Sequence, residues 1–338
     1  MSSIPSAEAR HVPAWQGTGV WLLILSVLVL ILALCSLNVG ASRMNLVNAL
    51  FADPDDRISR ILFASRVPRT LALMLAGAAL AVAGMIMQMM ARNRLVEPST
   101  VGTAEAAALG MLLVAILAPG LPLWGRLLVV AIVAALGTLL FLSILRRIPL
   151  RSALIVPLVG LVLAGVIHAG SALLAHHADL SQSLRAWGSG DFSAVLRGRY
   201  ELLWIAAGLT LLACLAADRF TVMGMGRDFA TNVGVNYTRL MGLGIVLVSL
   251  ITACVVVTAG VIPFLGLVAP NLIRLITGDN LRRAIPLVAL LGAALMLAAD
   301  LLGRLLIHPF EVPSSTILAI LGSLVFIVIL LQGRSRWA

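Results

Sequence analysis

Apolar residues do not recur along this chain with the period of a surface helix; they come in long, nearly unbroken blocks. The blocks fall near residues 18–38, 69–90, 98–118, 126–145, 152–175, 200–217, 240–262, 263–277, 284–304 and 313–332, divided by short stretches containing arginine, proline or glycine. A helix needs roughly 20 apolar residues to cross a hydrocarbon core about 30 Å thick, and most blocks are near that length. The pattern predicts an all-α polytopic membrane protein of about ten transmembrane helices. The seventh and eighth blocks are hardest to part, because Gly260, Pro263, Gly266 and Pro270 interrupt one apolar stretch. A helix broken at membrane depth must be buried in protein or line a cavity. Gly77, Ala81 and Gly84 of the second block place small residues where helices can approach closely. The string GAAL occurs at 77–80 and again at 292–295, too short a match to define an internal repeat.

Composition agrees with the pattern. Of 338 residues, 61% are hydrophobic and 11% charged, whereas soluble domains carry roughly 25% charged residues. The mean hydropathy is +1.08. The net charge of +10 raises the question of nucleic acid, but the basic residues sit singly or in pairs between blocks and are not gathered on one face, so no nucleic-acid partner is expected. All 24 basic residues are arginine. Without lysine a GxxxxGK[ST] phosphate loop cannot form, so any ATP hydrolysis belongs to another chain. Cys35, Cys214 and Cys254 lie in or beside apolar blocks without CxxC spacing. Met85, Met87, Met89 and Met90 point around a helix and read as flexible apolar filling. His176 and His177 have no ligand partner nearby in sequence, so no metal site is predicted, and no catalytic constellation emerges. With the amino end inside, 14 of the 24 arginines fall on the cytoplasmic side, the direction of the positive-inside rule. Residues 1–17 and 333–338 are then cytoplasmic segments flanking one permeation domain, 18–332.

From Arg66 the chain reads RVPRTLALMLAGAALAVAGMIMQMMARNRLVEPSTVGTAEAAALG, which sets Arg66, Pro68, Arg69, Gly77, Leu80, Gly84, Gln88, Asn93, Leu95, Pro98 and Gly102 in order. The last third contains AGVIPFLGLVAPNLIRLITGDN, GAALMLAADLLGRLL and EVPSSTILAILGSLVFIVILL. In content and order these segments resemble the FecCD-like permeases of type II ATP-binding-cassette (ABC) importers, over about residues 60–332. Asn271 stands where many members have histidine, and Ser323 where many have proline. With GDN at 278–280 and the EPSTVGT string, these look like the branch that handles catecholate-type siderophores rather than cobalamin.

The resemblance implies site residues. Arg66, Arg69 and Arg304 would form an outer pocket that receives an acidic residue from each lobe of a binding protein, a task suited to the bidentate guanidinium fork. Residues 218–240 would form short coupling helices seated in a groove of the ATPase, with Ala230, Asn232, Gly234 and Val235 at the contact. Asn93, Pro98, Gly102, Glu105, Pro270, Asn271 and Asp300 are candidates for structural or gating roles. Independently of any resemblance, Asp300 and Arg304 are spaced i, i+4 and can pair within an apolar helix.

The expected function is that of a transport subunit, not an enzyme, in the bacterial inner membrane. It would bind no cofactor itself, with ATP and magnesium held by a cytoplasmic ABC ATPase dimer. The cargo would be a ferric siderophore, delivered by a periplasmic or lipid-anchored binding protein. A second copy or a similar permease would complete the path. A cobalamin or haem importer is the alternative within this class, and a proton- or sodium-coupled carrier the alternative outside it.

Overall fold

The computed structural model describes residues 14–40, 57–148, 154–278, 281–307 and 310–333. Most of the two terminal segments, and Asp279 and Asn280 of the GDN string, lie outside the described residues. Each apolar block becomes a helix. The order begins with α1 (Ala14–Asn38) and α2 (Arg57–Ile61), continues through a π-turn (Leu62–Arg66) into α3 (Val67–Met90), and then α4 (Thr103–Leu117), α5 (Leu123–Leu145) and α6 (Ile155–His177). Next come the short α7 (Ser181–Gly188), α8 (Leu202–Leu215), α9 (Ala217–Gly224) and α10 (Arg227–Asn232). The last four are α11 (Tyr237–Ala259), α12 (Leu265–Thr277), α13 (Leu281–Leu306) and α14 (Ser314–Gly333). Among the described residues, six helices are long and apolar enough to cross a membrane alone, and α8 with α9 forms a further candidate bent by 65°. The apolar helices α4, α12 and α14 are shorter.

Two boundaries differ from the sequence expectation for a stated reason. The third span begins at Thr103 rather than 98, because residues 91–102 form a series of turns ending at Gly102, whose φ of +87° favours glycine. The seventh and eighth spans separate at 260–264, where Gly260 (φ +96°) and Phe264 (φ +64°) turn the chain.

Helix α3 is the centre of the bundle, with Leu73, Ala76, Ala79, Val82 and Met87 buried. It crosses α13 where Gly77 meets Gly292: a Cβ on Gly77 would lie 2.5 Å from the Gly292 carbonyl oxygen. The two GAAL strings are thus the two sides of one close crossing. In hydrocarbon such contact is favoured by van der Waals packing, which needs small residues at the closest approach. By contrast α1 leaves Leu23, Leu30 and Ile31 open, as a helix bordering lipid does.

The bundle has two polar ends. Arg69 lies at the start of α3, and near its finish the Met89 side chain touches Gly224 of α9. Twenty residues of helix separate them, about 30 Å, which matches the hydrocarbon thickness.

Candidate functional site

At the Arg69 end the three arginines singled out by sequence converge, but each is engaged within the chain. Arg69 pairs with Asp300 at 2.8 Å and with Glu311 at 2.8 Å. Arg304 pairs with the other oxygen of Asp300, one turn away on α13, and donates to the carbonyls of Ser36 and Val39 at 3.1 and 2.9 Å. Arg66 donates to the carbonyls of Leu37 and Asn38 at 2.8 and 3.0 Å. These four carbonyls belong to the last turn of α1 and the residue beyond it, where a helix leaves carbonyls unpaired and its dipole favours cations. The cluster therefore clamps α1 to α3 and α13. Asp300, Arg66 and Arg304 are buried, whereas Arg69 and Glu311 are at the rim with side chains 12% and 31% exposed. The three arginines expected to form an outer pocket for a binding protein are thus grouped at this end and held by partners within the chain. Among the described residues, Asp300 is shared by Arg69 and Arg304, and Glu311 takes a second nitrogen of Arg69.

At the other end α9 and α10 form an elbow. Ala230 is fully buried and its carbonyl accepts the Val235 N–H at 2.9 Å, while Asn232 and Gly234 are exposed. Gly234 has φ +82° with open space around it, so its glycine is required by the backbone turn as well as by any close docking. Sequence reasoning missed the elbow's exposed apolar group: Met225, Phe229 and Val233 are 61, 48 and 58% exposed. Phe229 and Val233 lie four residues apart, and that spacing was legible.

Between the ends lies a junction that sequence reasoning passed over as part of a string. The Glu97 carboxylate is fully buried and accepts the backbone N–H of Phe264 at 2.5 Å and the Ser99 hydroxyl at 2.5 Å. It satisfies a donor at the start of α12 from a distant part of the chain, as a capping side chain does locally. Gln88 donates to the Gly266 carbonyl at 3.3 Å, and Asn271 donates to the Arg94 carbonyl at 2.9 Å. Asn93 is buried and its side-chain oxygen accepts the Leu95 N–H at 2.8 Å. Pro270 lies inside α12, and Pro98 lines a small cavity with Glu97, Thr252 and Gly260. The gating candidates Asn93, Pro98, Pro270 and Asn271 thus gather where two broken stretches, 91–102 and 260–264, run against each other. Irregular backbone at this depth persists because side chains bond its polar groups.

Glu105 stands apart from that junction. It pairs with His168 of α6 at 3.2 Å, on the open side of the bundle.

The model of the FecCD transport family matches residues 24–332. The chain belongs to the FecCD transport family. As a FecCD chain it is a transport subunit rather than an enzyme, and a multi-pass inner-membrane protein. It is 39% identical over 311 residues to the petrobactin import system permease protein YclN of Bacillus subtilis, covering 92% of this chain and 98% of that one. It is 40% identical over 272 residues to the ferric-anguibactin transport system permease protein FatD of Vibrio anguillarum, with coverage of 80 and 87%. Its backbone superposes with a TM-score of 0.76, at 27% identity, on a metal-chelate type ABC transporter solved in an inward-facing conformation, over 92% of this chain and 98% of the other.

Proposed function

We propose that this FecCD chain is the membrane-spanning permease of an ATP-driven importer for a ferric siderophore, of catecholate type. The observation that carries the ATP-driven part is the elbow. Met225, Phe229 and Val233 expose apolar surface on and beside two short helices at one polar end of the bundle, a patch suited to a protein partner. A nucleotide-binding dimer fits, since closing on ATP moves the surface the elbow rests on and passes that motion to α11 through the Ala230–Val235 turn. The cargo reading is supported by relatives named for siderophores, one of them explicitly ferric. The Arg69–Glu311 rim is the docking edge for acidic residues of a bilobed binding protein, through the part-exposed guanidinium of Arg69. Buried Arg66 and Arg304 hold that edge in place. A second copy or a similar permease completes the path.

The test is uptake of a ferric catecholate into cells or vesicles carrying the permease with its ATPase and binding protein. Uptake is expected to stop when the ATPase is inactivated and to continue when an uncoupler removes the proton gradient. Uptake that survives ATPase loss and collapses with the uncoupler would identify a secondary carrier instead. Import of cobalamin or haem with no ferric chelate transported would replace the cargo.

A further inference from the structure

The Glu105–His168 pair sits where an ionisable pair is costly. His168 is nine residues before the end of α6 at His177 and thirteen after its start at Ile155, about 14 and 20 Å along the axis. It is therefore near the middle of a span whose apolar window has a mean hydropathy of 2.1. Glu105 is level with it because residues 100–102 climb alongside α6. A Cβ on Gly160 would meet the Thr100 carbonyl oxygen at 2.5 Å, and one on Gly102 would lie 3.5 Å from the Ala164 nitrogen. The side chains of His168 and Glu105 are 64% and 26% exposed. Among the described residues His168 is left largely uncovered, and polar side chains at this depth face a protein interior or water rather than hydrocarbon.

The surroundings favour water. His168 shares its side of α6 with exposed Gly165, Ala169, Ala172 and His176, and a Cβ at Gly165 would meet nothing within 4 Å. Small residues leave room beside the imidazole. About a quarter turn away the exposed residues are Val162, Val166 and Leu173, the bulky apolar set of a lipid-facing surface. Leu161, seven residues before His168 and on its own side, is 56% exposed as well, so the small-residue opening lies beside and beyond His168 rather than along the whole face. Nδ1 faces the Glu105 carboxylate, which leaves Nε2 for a third group, and a carboxylate on one ring nitrogen orients the ring for a contact at the other.

We propose that His168 and Glu105 line the aqueous translocation path, and that His168 is a polar contact for the passing chelate with Glu105 as its positioning residue. This rests on the import reading above. The ligand class is an oxygen-rich metal chelate that carries amide N–H or hydroxyl donors: with the ring N–H given to Glu105 at Nδ1, Nε2 accepts a hydrogen bond from such a donor.

The experiment uses the assembled importer in vesicles, with Cys35, Cys214 and Cys254 replaced by alanine. Single cysteines are introduced as His168→Cys and, on the lipid-facing side, Val166→Cys, and treated with a membrane-impermeant thiol reagent. Position 168 is expected to react at least tenfold faster than 166, and a ferric catecholate that the wild type imports should slow it severalfold. In uptake, His168→Gln should retain most activity and His168→Leu should raise the half-saturating chelate concentration several-fold. Glu105→Gln should add little to His168→Leu in the double variant, because it acts through the ring. Equal, slow labelling at 166 and 168 would overturn the aqueous lining. Rapid labelling at 168 that no transported chelate slows, with unchanged uptake by His168→Leu, would overturn the contact. Failure of the wild type to import any ferric catecholate, with 168 still labelled rapidly, would remove the cargo assignment and support the lining.

Discussion

Asp300 lies between two guanidinium groups, with one oxygen on Arg69 and the other on Arg304, and its side chain is 2% exposed. Changing it to asparagine leaves both arginines without their shared counter-charge in a buried site, a class of change that costs about 3–5 kcal/mol. Glu311 also pairs with Arg69 but is 31% exposed, and exposed pairs contribute about 0–1 kcal/mol. Thermal unfolding of the purified permease in detergent should therefore show a large loss for Asp300→Asn and almost none for Glu311→Gln. Equal shifts would mean that the cluster does not clamp α1. The i, i+4 spacing showed the Asp300–Arg304 pair in advance. It did not show that Arg69, 231 positions away in sequence, shares the same carboxylate, because that contact exists only once α3 and α13 have crossed.

At the scale of elements, the elbow separates local conformation from docking. Gly234 has a positive φ, so a larger residue there costs roughly 1–2 kcal/mol of backbone strain whether or not a partner binds. A loss of coupling in such a variant would not identify a docking surface. Phe229→Ser and Val233→Ser are cleaner, since both side chains are exposed and surface positions of this kind tolerate change. Both variants should fold with wild-type thermal stability and lose ATPase association by tenfold or more in a pull-down with the purified ATPase. Wild-type association would remove the elbow from the coupling path. The helices either side of the break at 260–264 have a comparable division. Glycine and proline announced the interruption, but the buried Glu97 that ties it to residues 91–102 had no spacing signal, since its partner Phe264 is 167 positions away.

For the whole molecule, the Arg69 rim and the elbow lie at opposite ends of α3, about 30 Å apart, beyond the Debye length of about 8 Å at physiological salt. Electrostatic changes at one end should therefore not reach the other directly. Arg69→Glu is expected to weaken binding-protein docking tenfold or more, with the wild-type interaction falling as salt rises, and to leave ATPase association unchanged. Docking measured on correctly inserted protein by surface plasmon resonance checks this, and wild-type affinity in the variant would restrict Arg69 to its pairs within the chain. Loss of both associations together would indicate misfolding, which the unfolding measurement above detects.

Membrane residence and the family were determined by sequence alone, because each depends on runs of apolar residues or on motif order and the bilayer acts on every segment in the same way. The break at 260–264 was also legible from Gly260 and Pro263, since backbone torsion is a local property, whereas residues 98–102 read as the start of a span and proved to be turns. Tertiary structure alone decided which charges meet. It placed Arg66 and Arg304 on the carbonyls at the end of α1, Glu97 on the start of α12 and Glu105 on His168. It also gave the two GAAL strings their meaning, as the facing sides of one helix crossing. The physical reason is the same in each case: a charge or a glycine has its effect through what lies within a few ångströms, and only packing brings those neighbours from the far ends of the chain.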